Sequence, residues 1–183
     1  MIPAGPFGQN GFVRYLTIVR HAKATPAVDG QDDFERPLSP RGRAQSEALR
    51  VWAIDPRALG AYGPTTALVS SAARTRETYA VAFAGTAFVH AVETSSLIYN
   101  GHHEVPAEDL LAELAAIDPV TESLLVVAHN PTVFELAASL SATPVPELER
   151  GKYPLGAAIV LRLADEPVAW RKYEYVRSFV PDV

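Results

Sequence analysis

The chain has 183 residues, 48% of them hydrophobic and 20% charged, with no cysteine and a formal net charge of −5. That size and balance suit one globular domain over 1–183, and they argue against extensive disorder. The missing cysteines exclude a disulfide framework, a thiolate metal site and a cysteine nucleophile, while the acidic balance disfavours nucleic-acid binding.

Residues 1–13 read as a flexible lead-in held by Pro and Gly, and 177–183 as a tail. No apolar run approaches the roughly 20 residues that span a bilayer, and the start lacks the pattern of a secretory signal. No membrane contact and a cytoplasmic location are therefore expected. Tyr15–Val19 predicts a short buried strand, rich in β-branched residues, that stops at Arg20-His21. Polar, turn-rich residues follow over Ala24–Leu38. Ser39 then reads as an N-cap and Pro40 as the first residue of a helix to about Trp52, with Ala44, Ala48, Leu49 and Trp52 on one face.

Thr66–Ser70 predicts a second strand, with Ser70 and Ser71 able to cap a helix over Ala73–Ala84. Phe88–Val92 predicts a third strand and Leu97–Glu104 a loop. Pro106 opens a helix with Glu108 and Asp109 in its first turn and Leu110, Leu111, Leu114 and Ile117 as its buried stripe. Leu124–Ala128 is apolar throughout, as a strand covered on both faces requires. It ends in His129-Asn130-Pro131, where Asn130 reads as a cap and Pro131 as the start of a helix with Val133, Leu136, Ala137 and Leu140 inside. After a Pro-rich connection over Ser141–Pro154, Ala157–Leu163 and Trp170–Val176 alternate like an antiparallel pair at a sheet edge. This alternation of strands and helices predicts an α/β fold around a mostly parallel sheet with an antiparallel edge.

Three strands thus end in polar residues of matching kind: Arg20 and His21, then Ser70 with Arg74 just beyond, then His129. If the strands are parallel, these ends share one edge of the sheet, where ligand sites gather. Two histidines and two arginines without a cysteine suit phosphoryl transfer through a phosphohistidine. A neutral imidazole is nucleophilic near pH 7 once its second nitrogen is held as a donor, and guanidinium forks bind the phosphoryl oxygens. No carboxylate cluster suggests a metal, and no cofactor is expected.

Arg20-His21-Ala22-Lys23 resembles the signature of the histidine phosphatase superfamily, which includes the phosphoglycerate mutases, except that Ala22 stands where Gly is usual. Asp33–Leu38 (DFERPL), Ser70–Thr78 (SSAARTRET) and Val126–Pro131 (VVAHNP) are similar, in order, to blocks of its short SixA-like branch, some of whose members remove phosphate from phosphohistidine. The resemblance implies a three-layer α/β/α sandwich, His21 as the phosphorylated nucleophile, and Arg20, Arg74 and His129 as the phosphate pocket. It also implies Arg36 as a further substrate contact. For the family's leaving-group acid the candidates are Glu93, His102, His103 and Glu104, of which Glu104 is taken. Leu155 stands in YPLG where a Thr beside Gly is usual. The expected activity is a metal-independent phosphatase acting on phosphohistidine or a phosphoramidate, borne by a protein or a small molecule. The alternatives are a phosphatase of small phosphate esters and a non-catalytic module that binds phosphorylated partners.

Overall fold

A computed structural model describes residues 15–62, 65–99, 106–116, 123–163 and 173–183. Its centre is a six-stranded sheet of β1 (Tyr15–Arg20), β2 (Thr65–Ser70), β3 (Val89–Ser95), β4 (Ser123–Ala128), β5 (Ala158–Leu163) and β6 (Tyr173–Phe179), in the order β3-β2-β4-β1-β5-β6. The pairs β1/β4, β4/β2 and β2/β3 are parallel, whereas β5 runs antiparallel to β1 and β6 antiparallel to β5. The helices are α1 (Pro40–Ala53), α2 (Ala73–Ala82), α3 (Ala107–Ala116), α4 (Thr132–Leu140) and the short α5 (Pro146–Glu149).

Two cores follow from the period-two alternation of side chains along each strand. Leu16 and Ile18 of β1, Leu124 and Val126 of β4, and Ile159 and Leu161 of β5 meet Leu110 and Leu114 of α3 and Val133, Leu136, Ala137 and Leu140 of α4. On the opposite face Val19, Val69, Leu125, Val127 and Val160 meet Leu49 and Ala53 of α1 together with Ala82 and Phe83 at the end of α2. Helices on both faces make the three-layer α/β/α sandwich expected from the sequence.

Several boundaries and faces differ from the sequence reading. The buried face of α1 is Gly42, Gln45, Ser46, Leu49 and Ala53, whereas Ala44, Ala48 and Trp52 are only half-buried. The face is rotated because α1 packs on α2 and on the loop after β1, and that contact favours small residues. Ser39 caps α1 as expected, accepting from the Gly42 N–H at 3.1 Å. Ser70 and Ser71 do not cap α2: Ala72 is its N-cap residue and no side chain bonds there. Likewise Asn130 does not cap α4, which begins at Thr132 behind Pro131. Strand β3 is a largely exposed edge. Strand β6 runs three residues into the stretch expected as a tail, and α5 interrupts the Pro-rich connection. The lead-in, Ile117, His102, His103, Glu104 and Trp170 lie outside the described residues.

Candidate active site

Because β1, β2 and β4 are parallel, their carboxyl ends open on one edge, and the register sets Arg20 opposite Ala128 and Val69 opposite Val127. The chain leaving β1 is then pinned from both sides. The His21 N–H donates to the Ala128 carbonyl at 3.0 Å and the Arg20 N–H to the Ala157 carbonyl at 3.1 Å. Gly156, with φ of +72° suited to glycine, donates its N–H toward the Arg20 and His21 carbonyls, so the turn that carries Leu155 is held by backbone. Ala22 is fully buried and its N–H donates to Thr78 Oγ1 at 3.0 Å.

Two imidazoles meet at this edge. The rings of His21 and His129 lie 5.0 Å apart, centre to centre, inclined at 55°. His21 Nδ1 is 2.7 Å from the Ala22 carbonyl. A carbonyl only accepts, so Nδ1 carries the proton and Nε2 keeps its lone pair. His129 is 3% exposed; its Nε2 pairs with Ser70 Oγ at 2.8 Å, and its buried Nδ1 has no partner among the described residues.

Both rings are uncharged at neutral pH. Burial pushes the His21 pKa down to about 3; the Ala22 hydrogen bond opposes this, and Arg74, Arg20 and Arg36 reinforce it. Burial, then His21, Arg74 and Arg20, pushes that of His129 down to about 2.

Arginines surround the rings. Arg20 donates through Nη1 to the Tyr153 carbonyl at 2.7 Å, and Tyr153 is itself fixed by donating its hydroxyl to the Ile18 carbonyl at 2.6 Å. Arg74, in the first turn of α2, is buried; it donates to the Asp33 carbonyl at 2.7 Å and to Asp33 Oδ2 at 3.0 Å. Arg36 Nε lies 2.7 Å from Asp33 Oδ1 and its Nη1 donates to the Thr25 carbonyl at 3.1 Å. The Nε atoms of Arg20 and Arg74 are buried without hydrogen-bond partners among the described residues. Unpaired buried donors beside neutral imidazoles form a pocket suited to an oxyanion.

The structure therefore brings Arg20, His21, Arg36, Arg74 and His129 to one place. Glu93 stands apart, exposed on β3 opposite Leu68 and short of that strand's end. Asn130 adds a buried Oδ1 with no partner among the described residues. Sequence reasoning passed over Asp33 and Tyr99. The Tyr99 hydroxyl donates to Asp33 Oδ2 at 3.1 Å, and its ring meets that of His129 edge-on at 5.5 Å. Asp33 lay inside the DFERPL block, and Tyr99 follows the strand beside β2, so topology was the signal that would have found it. Among the described residues no three His, Asp or Glu side chains gather as a metal site would require.

No family model matches the chain. Uncharacterized protein Rv1276c of Mycobacterium tuberculosis is 32% identical over 151 residues, covering 80% of this chain and 87% of its own. A candidate phosphohistidine phosphatase SixA from Agrobacterium tumefaciens has a similar structure, with TM-score 0.70 and 27% identity over 93% of this chain and 99% of its own. Another candidate SixA, from Nakamurella multipartitia, superposes with TM-score 0.68 and 25% identity, covering 93% and 97%. The chain belongs to the histidine phosphatase superfamily, on its short SixA-like side, and is a histidine-type phosphatase.

Proposed function

We propose that the protein hydrolyses phosphohistidine, or a related phosphoramidate, through a covalent phosphate on His21 and without a metal ion. The observation that carries this reading is the 2.7 Å contact between His21 Nδ1 and the Ala22 carbonyl, which leaves Nε2 free to attack. Nε2 forms a bond to phosphorus as the P–N bond to the leaving group breaks, and that nitrogen takes a proton from solvent water. Water then attacks phospho-His21, the P–Nε2 bond breaks, and inorganic phosphate departs. Arg20, Arg36 and Arg74, together with a proton on His129 Nδ1, stabilise the charge on the equatorial oxygens. A P–N bond places a small demand on leaving-group acid, and among the described residues no carboxyl group contacts either imidazole. Glu104 remains the acid assigned to ester substrates.

Rapid-quench labelling with a phosphohistidine peptide tests the reading. A phosphoenzyme that is acid-labile and base-stable is expected, and His21→Ala lowers turnover at least about 10³-fold. Wild-type turnover by that variant would defeat the mechanism.

A further inference from the structure

Above the arginines sits a group that phosphate binding does not call for. Asp33 lies in the loop between β1 and α1, with its side chain 42% exposed, while that of Arg74 beneath it is 8% exposed. Its carboxylate spans Arg74 at 3.0 Å and Arg36 at 2.7 Å, and accepts from the Tyr99 hydroxyl. Burial alone pushes the Asp33 carboxyl up, but the two guanidiniums outweigh it and hold the group below the usual carboxylate range. An ionised carboxylate therefore stands between solvent and the buried Arg74 guanidinium, with the half-buried Arg36 beside it. Beside it Phe34 and Tyr99 meet edge-to-face, 5.0 Å between centres, so the Asp33 carboxylate stands next to two aromatic rings.

We propose that Asp33 is a specificity-determining residue that selects the leaving group by charge, favouring cationic or neutral groups such as a protonated imidazole or amine and rejecting anionic ones. The inference rests on reading the pocket as a phosphoryl site and narrows its substrates. A phosphoryl group entering the pocket carries its substituent outward, past Asp33. Once the phosphoryl dianion takes up the charge of Arg74 and Arg36, Asp33 is left as the uncompensated charge. A carboxylate or second phosphate on that substituent then meets a like charge, and a cation meets a partner. The aromatic pair adds ring faces that accept a flat or cationic group. A competing role, in which Asp33 only braces Arg74, would affect every phosphoryl ligand alike.

Titration calorimetry on the full chain separates these roles, using two non-hydrolysable probes of matched length: aminoethylphosphonate, which carries a cation, and phosphonopropionate, which carries a carboxylate. The wild type should bind aminoethylphosphonate roughly tenfold more tightly, the size of one partly screened charge pair, and added salt should shrink the ratio. Asp33→Asn should bring the ratio close to one, and Asp33→Glu should restore the preference. Equal affinities in the wild type, or equal weakening of both probes in Asp33→Asn, would overturn the inference while phosphoramidate turnover left the phosphatase reading standing. If neither probe bound at all, the phosphoryl-site reading and this inference would fall together. The charge preference found in a protein that hydrolyses no phosphorylated compound would overturn leaving-group selection, since Asp33 would then sort bound ligands only, and would remove the phosphatase reading with it.

Discussion

Ser70 Oγ lies 2.8 Å from His129 Nε2, joining the ends of β2 and β4 inside the pocket. A neutral imidazole has one N–H, and the hydroxyl can fill either role. If Ser70 donates to Nε2, the proton of His129 sits on Nδ1 and can meet a phosphoryl oxygen. If Ser70 accepts, Nδ1 turns a lone pair on that oxygen. Only the first arrangement serves an oxyanion, and in it Ser70 would act as a positioning residue through His129. Ser70→Ala should lower kcat roughly tenfold, about the worth of one buried hydrogen bond. Nitrogen NMR of His129 should show the proton shifting off Nδ1, and Ser70→Thr should restore both signals. Unchanged tautomers in the Ala variant would defeat the idea.

Acid should destabilise the protein over a window set by its two buried rings. An unfolded histidine titrates near 6.5, whereas His21 and His129 are held down to about 3 and about 2. Between those values the unfolded chain binds more protons than the folded one, so stability rises with pH. The contribution is fully present above about pH 6.5 and is lost as pH falls toward the folded values. Urea midpoints should drop between neutral pH and about pH 5, and His129→Gln should flatten the drop. An equal drop in both proteins would count against buried neutral rings.

Gly42 is required where α1 meets the loop after β1. A Cβ built there would stand 2.0 Å from the Lys23 carbonyl oxygen, the same oxygen that accepts from the Ser39 N–H and hydroxyl. That clash is with backbone, so relief means moving α1 or the strand-end loop. Gly42→Ala should cost about 3 kcal/mol, at the upper end for overpacking, even though alanine favours helices. Urea denaturation measures it, and a variant as stable as the wild type would refute the close contact.

Chelation bears on the metal-free proposal. Turnover of phosphoramidate should be unchanged after EDTA treatment, since the charge developing on phosphoryl oxygens is met by guanidinium groups. Strong inhibition reversed by a single metal ion would overturn it.

Much was legible in the sequence because short-range patterns carried it. Apolar runs ending in Arg20-His21, Ser70 and His129 located the parallel strands and, through them, the site-bearing edge. Ser39-Pro40 located the start of α1 for a local reason, a side chain bonding three residues ahead. Capping failed at Ser70 for an equally physical reason. Its hydroxyl is turned to a histidine 59 positions away, and a local pattern cannot see that competitor.

The amino-acid sequence by itself determined the kind of fold, which segments form it, and which histidines and arginines could meet. Only the tertiary structure decided which atom of each histidine is free, that Tyr99 leans on His129, and that Asp33 stands over Arg74 and Arg36. Strand patterning follows from hydrophobic burial, which acts on neighbours along the chain. Tautomers and ion pairs depend on contacts of about 3 Å between groups brought together by strand register and helix packing, and no spacing along the chain encodes those.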